Sequence, residues 1–320
     1  MWEVFGFFAL GLVLLTLGAD SLLKGASGLA QRYGAGAAAA GLSLVAVGAS
    51  VPEIAIAIAA IAQGHYALAV GTVIGSCIVN FGLIVGVAAL VKPLDVGFRL
   101  VAVALPLLLV AALALLGMSE NGRLGYFDGT GLLFGVIFFG WLARRSLSGE
   151  SASVCKELAY AANTQIERGR NLVRVLLGLC LLGYGAWMAT DHSMELANAW
   201  RLSELMAGLT LLAIGSAIPE LAAAVVAAAR GHGNVVVGSA VASSVVNLLL
   251  VLGLLALWHP LPMTRPLVWV ELPVLIALIV ALYWMLRGAA QIPRRAGSVL
   301  LGAFVGWLAF QLLSSPIWSA

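Results

Sequence analysis

Two glutamates stand inside long apolar stretches of this 320-residue chain: Glu53 in GLSLVAVGASVPE, which begins at Gly41, and Glu220 in GLTLLAIGSAIPE, which begins at Gly208. A carboxylate at the centre of a bilayer costs on the order of 3 kcal/mol on insertion scales, unless it is paired or lines a wet cavity. Downstream of each, a serine and an asparagine recur four residues apart, Ser76 with Asn80 and Ser243 with Asn247. That spacing puts both side chains on one face of a helix. Carboxylate, hydroxyl and amide oxygens with no histidine among them form the donor set of a hard cation. Calcium accepts six to eight such oxygens in flexible geometry, whereas magnesium gives up its water reluctantly. Two glutamates also balance the charge of one divalent ion.

The prolines before the acids, Pro52 and Pro219, could supply further ligands. Proline removes an amide donor and clashes with the preceding turn, which frees carbonyls about four residues back. Within a bilayer such carbonyls must face protein, water or an ion. Those of Ala46, Val47, Ala213 and Ile214 are therefore candidate oxygen ligands. Ser76 and Asn80 also have a packing reading. Gly71-x3-Gly75 and Gly238-x3-Ala242 are small-residue motifs through which membrane helices approach closely, and polar side chains beside them can bind helix to helix.

These residues come in pairs because the chain repeats itself. Residues 41–94 align with 208–261 without a gap at an offset of 167, with 24 identities over the 54 positions. Pro52/Pro219, Glu53/Glu220, His65/His232, Ser76/Ser243 and Asn80/Asn247 are among them. The repeat reaches back to LGLVLLTLGA at 10–19, matched by LGLCLLGYGA at 177–186, and forward to Pro106 and Pro273. Five helices fall in each unit, and an odd number inverts the second copy across the membrane.

The composition is 62% hydrophobic and 10% charged, against roughly 25% charged in soluble domains. Apolar runs near 20 residues, long enough to cross about 30 Å of hydrocarbon, fall at 4–23, 36–62, 67–91, 98–117, 125–143, 171–190, 204–229, 234–258, 267–286 and 296–313. The expectation is an all-α polytopic membrane protein of ten helices. It has one five-helix repeat over 1–143, a linker over 144–170 and an inverted five-helix repeat over 171–320, with helices 2 and 7 broken at their prolines. The net charge of +3 reflects topology rather than nucleic acid. With the N-terminus outside, fourteen of the seventeen Lys and Arg residues fall in or beside connections on the other side. Arg123, Arg201 and Arg265 are the remainder, so both termini face away from the cytoplasm. The first run lacks a basic leader and reads as an uncleaved helix.

The remaining features have plain readings. Cys77, Cys155 and Cys180 are odd in number and scattered, which argues against a disulfide framework. His65 and His232 sit in short turns without companion ligands. Trp2, Trp141, Trp200, Trp258, Trp269, Trp307 and Trp318 fall near span ends as interface anchors. The linker, with a possible surface helix over 154–168, is a cytoplasmic tether. No HExxH, aspartate pair or serine–histidine arrangement suggests an enzyme, and no resident cofactor or obligate protein partner is implied.

The paired GASVPE and GSAIPE segments, each followed by a Gly/Ser-rich helix ending in Ser-x3-Asn, resemble the repeats of the cation/calcium exchanger superfamily, which includes sodium/calcium exchangers. The resemblance implies an antiporter of the inner or plasma membrane. Calcium and sodium would bind Glu53 and Glu220 at the bilayer midplane, and helices 1 and 6 would slide across the core to expose the site alternately. It also implies ligands from Ser50, Ser216, Ser76, Ser243, Asn80, Asn247 and the carbonyls of Ala46 and Ala213. Sodium/calcium exchangers of this kind typically carry Thr-Ser before Val/Leu-Pro-Glu, whereas here the pairs are Ala49-Ser50 and Ser216-Ala217. Asn247 also stands where those exchangers often have Asp. Sodium is the counter-ion that the resemblance implies, and a proton is the alternative that two glutamates alone could serve.

The charge asymmetry makes a direct prediction. In a chain freed of its own cysteines, a cysteine placed at Ser151 resists an impermeant thiol label applied to intact cells. Ready labelling there would reverse the orientation.

Overall fold

The computed structural model describes residues 1–33, 47–97, 99–147 and 168–314. Ala46, Cys155, Trp318, the proposed linker helix and residues 36–46 of predicted helix 2 lie outside the described residues. The fold is all-helical, with helices α1 (Trp2–Arg32), α2 (Val51–Ala62), α3 (Tyr66–Val91), α4 (Arg99–Met118), α5 (Tyr126–Leu147), α6 (Arg168–Ala199), α7 (Glu204–Ala229), α8 (Gly233–Trp258), α9 (Leu267–Arg287) and α10 (Arg294–Ser314). Among the described residues nine of these are long and apolar enough to cross a membrane, and the shorter Gly48–Ala62 segment accompanies them.

Burial sorts the helices into a centre and a rim. α3 and α8 are buried over 83% of their most apolar window, α1 over 28% and α6 over 33%. A helix that is apolar all round belongs in a core, and α3 and α8 have that pattern together with their small residues. Gly64 and Gly231, both at φ +84°, close the short α2–α3 and α7–α8 turns, where residues with a Cβ are disfavoured. Two short antiparallel strand pairs tie the ends. β1 (Leu94–Asp95) pairs with β4 (Gln291–Ile292), and β2 (Arg123–Leu124) pairs with β3 (Leu261–Pro262). β1 follows α3 and β4 follows α9, whereas β2 and β3 follow α4 and α8, so the two pairs mark opposite ends of the bundle.

Several boundaries differ from expectation. α1 and α6 extend to 31 and 32 residues, well beyond the apolar runs at 4–23 and 171–190. Asp20 and Lys24, expected at the end of helix 1, instead form an i,i+4 ion pair at 2.8 Å within it, which lets the helix continue into polar sequence. The expected break in helix 7 is absent. A widened π-turn at Gly208–Leu212 leads into a continuous helix, Ala213–Ala229, with Pro219 inside it. One proline costs its own hydrogen bond, and flanking helices keep the remaining turns in register. In helix 2 a 3₁₀ turn at Gly48–Ser50 precedes α2, and Pro52 occupies its first turn, where its missing N–H is harmless. Similar π-turns occur at Asn80–Ile84 in α3 and Val246–Val251 in α8.

α1 and α6 pack backbone to backbone. A Cβ added at Gly11 would lie 2.7 Å from the Ala189 amide nitrogen, and one at Gly178 would lie 2.6 Å from that of Leu22. A Cβ at Gly18 would overlap the backbone of Leu182, whereas one at Gly6 meets nothing within 4 Å. Gly18→Val is therefore expected to destabilise the purified protein by about 1–3 kcal/mol through overpacking, while Gly6→Val on the same helix leaves its thermal midpoint unchanged. Equal midpoints for the two variants would refute this close approach.

Candidate functional site

The pairs of polar residues found in sequence meet where α2, α3, α7 and α8 cross. Ser50, Glu53, Ser76, Asn80, Ser216, Ser243 and Asn247 are all at most 3% exposed. Glu53 lies in the first turn of α2, where the positive end of the helix dipole faces a carboxylate. Glu220 sits near the middle of the continuous helix Ala213–Ala229 within α7, one residue after Pro219.

The contacts cross between the halves of the chain. The Ser216 hydroxyl donates to Glu53 Oε1 at 3.4 Å and also lies 3.4 Å from the Ala213 carbonyl. The Ser50 and Ser243 hydroxyls are 2.9 Å apart, and Ser50 Oγ also reaches the Ser243 carbonyl at 3.2 Å. The repeat predicts a counterpart for each contact, and neither counterpart exists. Opposite Glu220 the residue matching Ser216 is Ala49. Opposite Ser76 the residue matching Ser50 is Ala217, and Ser76 instead donates to the Thr72 carbonyl in its own helix at 2.8 Å.

Glu53 Oε2, Glu220 Oε1 and both amide atoms of Asn247 are buried without a hydrogen-bond partner. Each such group costs about 1–3 kcal/mol. Several gathered at one helix crossing signal a place for a ligand that offers positive charge. Beside them is a cavity of about 360 Å³. Its walls include Thr16 and Asp20 of α1, Gly48, Ala49 and Pro52 at the start of α2, Asn80 and Ile84 of α3, Ser216, Pro219 and Glu220 of α7, and Ser239 of α8. From Glu220 the cavity runs along Ala223 and Ala227 toward the end of α7. That is the end of the bundle marked by β1, since Gly97 N donates to Asn234 Oδ1 at 2.8 Å just after the α7–α8 turn. Glu53 lies behind Ser216 and does not line the cavity.

Other sequence readings fare differently. Ala213 is buried at the start of the α-helical run and its carbonyl faces Ser216; Val47 is exposed. His65, read as a turn residue without companion ligands, is partly buried, and its Nδ1 lies 3.0 Å from Glu204 Oε1. Trp307, read as an interface anchor, is 5% exposed and donates to Glu271 at 2.6 Å. The sequence reading passed over Glu271, which is 1% exposed. Its signal in the sequence is a lone acid within the apolar run 267–286, but its repeat counterpart is Ala104, so it lacks the duplication that marks Glu53 and Glu220. Cys77 is buried and Cys180 exposed, both as free thiols.

A bundle of long apolar helices closed around unpaired carboxylates defines a multi-pass membrane protein of the cation-transporting class. Residues 3–143 and 171–313 match the sodium/calcium exchanger protein family. The chain is 34% identical over 319 residues to the inner membrane protein YrbG of Escherichia coli, covering 96% of each. It is 29% identical to the sodium/calcium exchanger MaX1 of Methanosarcina acetivorans, covering 93% of this chain and 95% of that one. The sodium-calcium exchanger NCX_Mj, solved after soaking in sodium and strontium, superposes with a TM-score of 0.65 at 27% identity, covering 96% of this chain and 97% of that one. The chain belongs to the sodium/calcium exchanger family, a family of antiporters rather than enzymes.

Proposed function

We propose that the protein exchanges calcium for sodium by alternating access at one site built by Glu53 and Glu220 between two inverted units, 1–143 and 171–320, joined by a cytoplasmic linker at 144–170. The observation that carries this reading is the set of unpartnered buried oxygens on Glu53, Glu220 and Asn247. Calcium satisfies them together. The two carboxylates balance its charge, Asn80 and Asn247 bring amide oxygens, and Ser50, Ser216, Ser76, Ser243 and the carbonyls of Ala46 and Ala213 complete an oxygen shell. The paired strands support inversion: β1 and β3 are repeat counterparts, yet β1 joins β4 at one end and β3 joins β2 at the other. With both termini outside, the cavity at Glu220 faces the cytoplasm, which makes this an inward-open state. Access from the other side then requires the α1–α6 pair, whose Thr16 and Asp20 form part of the cavity wall, to move across the core. No resident cofactor enters this cycle; the partners are the transported ions and the bilayer.

A second reading exchanges calcium for protons, and the hydroxyl contacts favour it. A sodium ion needs its own oxygen cage, and at Ala49 and Ala217 the chain offers only backbone. Two protons neutralise the same carboxylates without further ligands.

Glu53→Gln and Glu220→Gln are each expected to abolish calcium flux in reconstituted vesicles while the protein still inserts. Undiminished transport by either variant would remove the shared site. For the counter-ion, calcium uptake is measured against separate sodium and proton gradients at clamped pH. The sodium reading expects uptake to follow the sodium gradient, and expects Ala217→Ser, by restoring a hydroxyl opposite Ser76, to raise apparent sodium affinity with little change toward calcium. Uptake indifferent to sodium and collapsed by a protonophore assigns the exchange to protons.

A further inference from the structure

Glu271 is a buried carboxylate that the proposed exchange cycle does not use. It closes the π-turn Leu267–Glu271 at the start of α9, and both of its oxygens accept hydrogen bonds from α10. Trp307 Nε1 donates to Oε2 at 2.6 Å, and Gln311 Nε2 donates to Oε1. Trp307 and Gln311 are one helical turn apart, so a single carboxylate grips one face of α10. Charge-assisted bonds of this kind are about twice as strong as neutral ones, and a low dielectric strengthens them further.

The other end of this grip reaches the site. One turn before Trp307, the Phe304 ring lies 5.7 Å from the Trp307 ring, centroid to centroid. Phe304 seats over Gly82, where an added Cβ would come within 2.7 Å of the Phe304 Cβ. Gly82 belongs to the π-turn Asn80–Ile84, which turns Asn80 and Ile84 toward the cavity. Glu271, Trp307, Phe304, Gly82 and Asn80 thus form an unbroken chain of contacts from α9 to the site.

Among the described residues the other half of the molecule has no such device. Gly297 of α10 packs on Gly86 and Ala89 of α3, and Gly129 of α5 packs on Gly253 and Ala256 of α8. On that correspondence Trp307 and Gln311 fall at Phe139 and Ala143, and at the 167-residue offset that pairs Pro273 with Pro106, Glu271 falls at Ala104. The wedge is reversed as well. Leu249 projects from the α8 π-turn against Gly135 of α5, where α3 has Gly82 receiving Phe304.

We propose that Glu271 is a positioning residue: by gripping Trp307 and Gln311 it fixes α10 against α3 and holds the Asn80 half of the cation site, while the Asn247 half is left without such a tie. The proposal rests on reading Asn80 as a ligand.

The test separates KM from Vmax for calcium uptake by the full-length protein in liposomes. Glu271→Ala is expected to raise the calcium KM on the order of tenfold, the scale on which partners behind a metal ligand act, with Vmax changed by less than about twofold. Glu271→Gln keeps one carbonyl acceptor for Trp307 and recovers most of the affinity. Phe304→Ala reproduces the KM shift, and combining it with Glu271→Ala adds nothing, because both cut one path. Leu133→Ala, which loosens α5 against Gly253 in the other half, multiplies with Glu271→Ala. If Glu271→Ala does not fold, Trp307→Phe removes only the N–H and is expected to shift KM severalfold in the same direction. An unchanged KM in Trp307→Phe, a loss confined to Vmax or to protein yield, or multiplicative effects of Glu271→Ala and Phe304→Ala would each overturn the proposal. Asn80→Ala separates the two readings. If it raises KM while the Glu271 and Trp307 variants do not, only the positioning role falls; if it leaves KM unaltered, the cation-site reading falls with it.

Discussion

Charge in hydrocarbon is the constraint on which the rest of this structure depends. Glu53 and Glu220 cannot be solvated by lipid, so the chain encloses them within a bundle whose outward side chains are mostly apolar. α3 and α8 take the centre, and this explains why their surfaces are apolar or small on every side. The remaining helices shield them, and the acids are left facing one another's halves across helix crossings. The same constraint explains the other buried polar groups. Thr72, Ser76 and Ser244 return their hydroxyl protons to carbonyls four residues back, as a hydroxyl on an apolar helix must when no other partner is near. Among the described residues the unpartnered carboxylate oxygens belong to Glu53 and Glu220, with the Asn247 amide at the same crossing, and such a cost gathered at one place points to function rather than to poor packing.

Duplication supplied a symmetric backbone, and substitution then made its chemistry unequal. The matching turns at Gly64 and Gly231, the π-turns in α3 and α8 and the exchanged strand pairs preserve the repeat. The hydroxyls do not. Ser216 reaches Glu53 while Ala49 leaves Glu220 without the equivalent contact, and Ser50 meets Ser243 while Ala217 leaves Ser76 to its own helix. Glu220 also stands at the cavity wall and Glu53 behind it. The two carboxylates therefore differ in environment, one in a first helical turn with a hydroxyl donor and the other in a helix interior with an unpaired oxygen. A cation entering through the cavity would meet Glu220 before Glu53.

Most of the site was legible in sequence because the duplication marked it. Pro52/Pro219, Glu53/Glu220 and Asn80/Asn247 stand out as polar or helix-perturbing residues repeated at a fixed offset inside apolar runs, and the structure brings the acids and amides to one crossing. Hydropathy also placed the ten segments. It missed what depends on partners distant in sequence. α1 and α6 outrun their apolar cores because their small residues let the two backbones support one another, a gain that no window average contains. Helix 7 stays continuous through Pro219 because neighbouring helices hold its turns, so a proline in sequence did not become a break. Trp307 resembled an anchor by its position near a span end until Glu271 on another helix proved to be its partner. Neither residue is repeated in kind, so duplication marks neither of them.

Charge balance links these asymmetries to the choice of ions. Two carboxylates with one calcium, or with two protons, make a neutral centre that can change sides without carrying net charge through the low-dielectric core. Three sodium ions on the same pair would leave a net positive charge, and each would draw on oxygens that must be held ready in the absence of calcium. The chain has two amides where a third carboxylate could have offset that charge, and it has alanine at two positions where hydroxyls could have filled the cages. On the proposed site, the donors that remain, two acids, two amides and serine oxygens at the helix crossings, match in kind and charge what a single divalent ion requires. On that reading little is left for a second or third ion, and the number of counter-ions per cycle would follow from how many of these oxygens one calcium releases when it leaves.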